Sequence, residues 1–123
     1  MLVHSSERYN TDMKIGKDLV AASAVPLILS ILSEGESYGY TIIQRVRELS
    51  GGEISWTDGM LYPVLHRLEG QGVLESRWDA SEAGRKRKYY RLTAAGRQVL
   101  DEQRKQWLTV HMTLNKLWGL GHV

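Results

Sequence analysis

The sequence contains no cysteine, which removes a disulfide framework, a thiolate zinc site and a cysteine nucleophile at once. An intracellular setting is the expectation that follows. Also missing is an apolar run long enough to cross a bilayer. The longest, from Leu19 to Leu32, is broken by Ser23, Pro26 and Ser30 and falls short of the roughly 20 residues a spanning helix needs. The polar, mixed-charge start from Met1 to Asp12 has no signal-peptide character. The expected location is therefore the cytoplasm, with no membrane partner.

Catalytic groups are equally sparse. His4, His66, His111 and His122 are scattered, with no i, i+4 pair and no neighbouring carboxylate ligands, and Glu34-Gly35-Glu36 reads as a turn. Neither Gly51-Gly52 nor Gly70-Gln71-Gly72 forms part of a G-x-x-x-x-G-K phosphate loop. No enzyme, no cofactor and no metal is expected. Charge of one sign is scarce too: the formal net charge is +2 and the pI near 9.0, so the distribution of basic residues must carry any nucleic-acid argument. A chain of 123 residues has room for one ordinary domain.

What is present is organised around Ser55 to Gly72. Leu61, Val64, Leu65 and Leu68 recur at i, i+3, i+4, i+7, which predicts a helix with one buried stripe. Asp58, Tyr62, His66, Arg67 and Glu69 are left to face elsewhere. Thr57 supplies a capping oxygen and Asp58 a favourable charge at the helix start. Pro63 falls some six residues in, beyond the turn where proline is free, so a bent first turn or a helix starting later than Thr57 is expected.

Ahead of this stretch, residues 1–11 show no periodicity and read as a loose arm. From Asp12, Ile15, Leu19 and Ala22, then Val25, Leu27, Ile28, Ile31 and Leu32, follow helical spacing. Two segments are preferred, the second capped by Ser23 with Pro26 in its first turn; a kink in one continuous helix is the alternative. Ser37 is the expected cap of a helix from Tyr38 to Leu49 whose apolar face holds Tyr38, Ile42, Val46 and Leu49, ended by Gly51-Gly52. Glu53 to Trp56 is a linker or brief strand. Trp56 and Trp78 read as structural.

Beyond Gly72, Val73 to Trp78 and Arg85 to Leu92 predict two strands around the turn-rich Asp79 to Gly84. Arg85, Lys86, Arg87, Lys88 and Arg91 crowd the second strand, and a hairpin this basic points to a polyanion. Thr93 caps a last helix running to about Trp118. Leu100, Trp107 and Leu114 lie seven apart, with Gln103, Val110 and Leu117 between them, which gives a heptad-like seam; the N-terminal helix is the alternative partner within the chain, and a second copy of the chain is the preferred one.

The order helix, helix, presented helix, hairpin, long helix predicts a mainly α fold with a small β-hairpin wing: a winged helix-turn-helix over 12–92 and a C-terminal dimerisation helix over 93–123. A major groove of about 12 Å admits the presented helix, and the basic hairpin reaches neighbouring phosphates. A dimeric winged-helix adaptor that binds another protein is the alternative.

Three separated blocks carry a resemblance. L-I-L-S-I-L-S-E-G-E-S-Y-G-Y-T-I-I-Q-R-V, D-G-M-L-Y-P-V-L-H-R-L-E-G-Q-G-V-L and R-K-R-K-Y-Y-R-L-T-A-A-G-R resemble, in order and spacing, the PadR-like family of bacterial transcription regulators, in its branch with a short C-terminus. The resemblance implies a homodimeric repressor on a palindromic operator, released in many members by a small molecule. Carried over by position, it places Tyr38, Tyr40, Thr57, Asp58, Gly59, Met60, Tyr62 and His66 on or near double-stranded DNA, with Arg85, Lys86, Arg87 and Lys88 in the wing; for Tyr38 and Tyr40 a partly core position is an equal reading. Chemically, Gly59 permits close backbone approach, Tyr62 can donate to a phosphate oxygen and Met60 can meet a thymine methyl. Asp58 is repelled by phosphate and suits a cap better than a cytosine contact. Trp107, with His111 and Trp118 on or near its face, is a candidate wall for a small aromatic effector, although a packing anchor is the preferred reading of Trp107.

Overall fold

Residues 15–80 and 84–119 are described by the computed structural model. Among them lie four helices, α1 (Lys17–Leu32), α2 (Gly39–Leu49), α3 (Asp58–Gly70) and α4 (Ala94–Trp118). Three strands, β1 (Ser37–Tyr38), β2 (Leu74–Ala80) and β3 (Lys86–Leu92), form an antiparallel sheet in the order β1-β3-β2. The fold is mainly helical with a small sheet. The expected arm over 1–11 and most of the turn between the hairpin strands lie outside the described residues.

The leucine stripe of α3 performs as its spacing demands. Leu61, Leu65 and Leu68 are buried and Val64 packs against the same cluster, beside Ile28, Leu29, Ile42, Val46, Leu74 and Tyr90. Helix α1 contacts α2, α4 and β3, while α3 contacts α2 and β2, so every element borders one core. Trp56, leading into α3, is buried in it.

Helix α1 corrects the two-segment expectation. It is continuous, with Pro26 inside it, and the Ser23 hydroxyl donates to the Val20 carbonyl instead of capping a new segment. An interior proline costs about 3 kcal/mol. Burying Ile28, Leu29, Ile31 and Leu32 contributes about 1.5–3 kcal/mol each, and the carbonyl deprived of its partner belongs to exposed Ala22. Packing therefore overrides the local break.

The same logic governs Pro63. Helix α3 begins at Asp58, directly after the Thr57 cap, so the later start does not occur. Proline leaves the Gly59 carbonyl without its helical N–H, but both residues are exposed and water replaces the bond.

Three further corrections concern sheet and surface. Ser37 does not cap α2: Ser37 and Tyr38 pair with Tyr90 and Tyr89 as a short edge strand, and α2 starts at Gly39 without a side-chain cap. Leu49 faces solvent, not the core. Trp78 is 63% exposed on β2 and is no structural anchor.

Helix α4 is joined to the sheet at its first turn. The Thr93 hydroxyl donates to the Gly72 and Val73 carbonyls and accepts from the Gly96 N–H. A β-carbon on Gly96 would lie 2.1 Å from the Val73 carbonyl oxygen. Leu100, one turn on, is buried in the chain's own core. This corrects its assignment to a seam between copies, because the side chain is already used internally.

Gly96→Ala must push α4 off the α3–β2 junction and should lower stability by about 1–3 kcal/mol in thermal or urea unfolding. Gly70→Ala, where a β-carbon meets open space, should be neutral or stabilising by up to about 1 kcal/mol. Equal effects from both would contradict the close packing at Gly96.

Candidate nucleic-acid interface

The N-terminal end of α3 is built as a presented tip. Thr57 Oγ1 accepts from the Met60 N–H at 3.2 Å, Asp58 adds an acidic first turn, and both residues are exposed. The nearest atom to a β-carbon built on Gly59 is 3.9 Å away, so the backbone here is open to a close partner. Met60 departs from the expected thymine contact: it is half-buried against the core cluster, on the side of α3 that borders α1.

Tyr62 and Gly39 interlock. A β-carbon at Gly39 would lie 2.3 Å from the Tyr62 hydroxyl oxygen and 2.6 Å from Cζ, so the glycine of the Y-G-Y block exists to admit the tyrosine of the L-Y-P block. Burial, then the Asp58 charge, pushes the Tyr62 hydroxyl above the ordinary tyrosine range, and it stays protonated at neutral pH. The residue nevertheless remains 42% exposed. Tyr40, by contrast, is exposed on α2 and accepts from Gln44 Nε2 at 2.7 Å.

The hairpin distributes its side chains by the period of two. Ser76, Trp78 and Ala80 oppose Tyr90, Lys88 and Lys86 in register. On this side the Ser76 hydroxyl donates to Glu69 of α3, and Lys88 lies 3.6 Å from the other Glu69 oxygen, which ties the wing to the presented helix. The alternate positions form a stacked row. The Arg77 guanidinium sits 5.0 Å from the Tyr89 ring centre, Tyr89 meets Tyr38 edge to face at 5.2 Å, and Arg87 sits 4.5 Å over Tyr38. Such cation–ring contacts hold long basic side chains in place without neutralising them.

Arg77 and Glu36 anchor the far end of that row. Their ion pair holds the Glu36 carboxyl below the usual carboxylate range. Arg91 is paired with Glu75 at 2.6 Å and so belongs to the hairpin's own charge network. Lys86 and Arg87 have no carboxylate partner among the described residues. Arg85 is exposed where the chain enters β3.

Between α3 and the wing lies an open cleft of about 670 Å³. Tyr38, Tyr62 and His66 line one part of it; Lys86, Arg87 and Lys88 line another. Six residues named from the sequence thus meet in one place. Tyr40, Thr57, Asp58, Gly59 and Met60 do not line it. The sequence reading missed Trp78 and buried Tyr90, which complete the cleft. Alternation along β2 puts Trp78 on the Ser76 side, and that period was the available signal.

The candidate residues of α4 are elsewhere. Gln103, Trp107 and Leu114 are half-buried in the single chain, whereas Val110, His111, Leu117 and Trp118 are exposed. His111 Nε2 is 3.0 Å from the amide of buried Asn115. None of these side chains borders the cleft beside α3.

Gly39→Ala should cost about 1–3 kcal/mol in unfolding experiments by forcing Tyr62 off α2. In a Tyr62→Ala background most of that cost should vanish, giving a coupling of about 0.5–3 kcal/mol; simple additivity would refute the interlock.

Comparison with known proteins agrees with this geometry. The family model described as "Transcriptional regulator PadR-like family" matches residues 28–102. The chain is 41% identical over 78 residues to the transcriptional regulator Rv3488 of Mycobacterium tuberculosis, covering 63% of this chain and 69% of that one. It is 31% identical over 87 residues to the negative transcriptional regulator PadR of Bacillus subtilis, covering 71% of this chain but 46% of that longer protein. A PadR family transcriptional regulator from Eggerthella lenta superposes with a TM-score of 0.70 at 37% identity, over 82% of this chain and 86% of its own. A transcriptional regulator from Clostridium thermocellum gives 0.73 at 30% identity, over 81% and 97%. A capped helix tip, a wing tied to it through Glu69, and a family match that spans both place this chain in the PadR-like family, whose members are transcriptional regulators and not enzymes.

Proposed function

We propose that the chain is a homodimeric repressor that binds a palindromic operator, works in the cytoplasm and is released from DNA by a small molecule. The observation that carries the DNA-binding part is the meeting of Tyr62 and His66 of α3, just beyond its exposed tip, with Lys86 and Arg87 around one cleft, these two cations having no carboxylate partner among the described residues. The tip enters the major groove, where helix N–H groups and Tyr62 meet phosphate or base edges. The wing cations neutralise flanking phosphates. With few side chains suited to bidentate base reading, sequence selection rests largely on groove shape.

Dimerisation is assigned to the outer part of α4. Val110, Leu117 and Trp118 are exposed apolar side chains, and Leu117 at 77% exposure has no packing role within one chain. Gln103, Trp107 and Leu114 border that surface on the half-buried side, and Trp107 serves as a packing anchor between copies. Twofold pairing matches a palindromic site, since two α3 tips must be held about one helical turn of DNA apart.

Replacing Lys86 and Arg87 together by Ala should weaken duplex DNA binding and reduce the slope of log affinity against log salt by about 0.9 for each phosphate left unneutralised. Arg45→Ala, which breaks only the Arg45–Glu34 pair, should leave the slope unchanged. An unchanged slope in the wing variant would refute the phosphate assignment. Val110→Glu with Leu117→Glu should yield monomers in sedimentation with the helix content retained; a persistent dimer would remove α4 from the interface.

A further inference from the structure

Strand β2 leaves one of its edges unused. The order β1-β3-β2 puts it outermost, and β3 is its only strand neighbour among the described residues. Every second residue of such a strand turns its backbone N–H and C=O away from the sheet, and an uncovered edge is a template for another strand. The inner end is closed, because Leu74 is buried and the Val73 carbonyl accepts from both the N–H and the hydroxyl of Thr93. Arg77, Trp78, Asp79 and Ala80, at the outer end, are all exposed.

Charge on that outer end is arranged so that the strand complements itself. Alternation puts Arg77 and Asp79 on one face and Ser76, Trp78 and Ala80 on the other. When a second copy of β2 lies antiparallel to the first with Trp78 opposite Trp78, Arg77 of each copy faces Asp79 of the other, and Ser76 faces Ala80. Opposite charges directly across a strand pair attract, and the two indoles meet as an aromatic pair. Arg77 already reaches its own Asp79 at 3.1 Å, and both side chains keep about half of their surface open. Trp78, at 63% exposure, is the most exposed aromatic side chain of the hairpin.

Neighbouring registers are rejected by the same residues. Moving the twofold axis by one position sets Arg77 against Arg77, or Asp79 against Asp79, and like charges directly opposite are destabilising. Moving it inward to Ser76 requires Leu74 to pair with Trp78 at the closed end of the strand. Moving it outward to Ala80 loses both ion pairs. Only the axis at Trp78 uses the open residues and opposes unlike charges.

We propose that the wings of two copies pair edge to edge, β2 against β2 about a twofold axis at Trp78, and that this contact lines up neighbouring dimers on DNA. The pairing stands on the β2 edge itself; the alignment on DNA rests on the proposed function. A dimer joined through α4 keeps two wings, so a second twofold contact generates an open row instead of a closed assembly. A contact of this size is too small to hold such a row in free solution, whereas copies bound side by side on one duplex meet at high effective concentration. Occupation of one site then favours occupation of the next.

The chain has no cysteine, so introduced thiols report the register. In the proposed pairing Ser76 and Ala80 of different copies lie about 4.5–5.5 Å apart between Cα atoms, within disulfide reach, whereas two copies of either residue are offset by about 13 Å along the strand. Under mild oxidation, Ser76→Cys and Ala80→Cys should each stay uncross-linked, and their mixture should form the mixed disulfide at least tenfold faster. Adding Asp79→Lys to both variants, which sets like charges against Arg77, should slow the mixture at least tenfold; Glu48→Lys, on the exposed side of α2, should not. The cross-link should survive in the Val110→Glu, Leu117→Glu background. Equal cross-linking of either variant alone, indifference to Asp79→Lys, or loss in the α4 background would each overturn the wing pairing.

A second arm binds the same mixture at low salt to duplexes of about 20 and about 60 base pairs, which give room for one dimer and for several. The longer duplex should speed the mixed disulfide at least tenfold over the shorter. A mixed disulfide indifferent to duplex length would overturn the alignment on DNA and leave the wing pairing standing. Duplex binding with no mixed disulfide would overturn the pairing and leave the DNA reading intact. A chain that cross-links but binds neither duplex would do the reverse.

Discussion

Two elements of this fold approach more closely than a side chain on each would allow, and the geometry of the proposed reading surface hangs on that approach. The Tyr62 ring occupies the space a β-carbon at Gly39 would need, so α2 and α3 are held in one relation by the contact of a tyrosine with bare backbone. The same device recurs at Gly96, where the first turn of α4 lies on the Val73 carbonyl. Interiors packed at crystal-like density transmit such contacts rigidly. An extra methyl group at Gly96 meets backbone and moves the helix at the base of the wing, whereas at Gly39 it meets the far end of the Tyr62 side chain and displaces that ring from α2.

Charge is handled by the same economy of position. The chain's acidic residues hold selected basic ones in the framework: Glu36 takes Arg77, Glu75 takes Arg91, Glu34 takes Arg45 and Glu69 takes Lys88. Most of these pairs are exposed and contribute little stability each, about 0–1 kcal/mol. Their larger effect is selection of which cations remain for a partner. Lys86 and Arg87 are what this pairing leaves at the mouth of the cleft, so a net charge of only +2 still produces a locally positive edge.

Helix α4 divides its length between two tasks. Its first turns close the core through Thr93, Gly96 and Leu100, while its later turns expose Leu108, Val110, Met112, Leu117 and Trp118. Heptad spacing runs through both parts without marking the boundary. A side chain's neighbours differ along the helix: the first turns are taken into the core, and further on Asn115 is buried and Trp107 and Leu114 are half-buried while the side chains around them stay open.

Much of the architecture was legible from residue order alone. The leucine spacing of α3, the caps at Thr57 and Thr93, the alternation and basic bias of the hairpin, and the three blocks shared with the PadR-like family specify the elements and their sequence, because caps, periodicity and turn chemistry act over a few residues. Tertiary structure decided the rest. It made α1 one helix through Pro26, turned Ser37 from a cap into an edge strand, took Leu100 into the core and put Trp78 on the wall of a cleft. Each of those outcomes depends on residues distant in sequence, whose combined burial and pairing exceed the local preference of about 1–3 kcal/mol that they override.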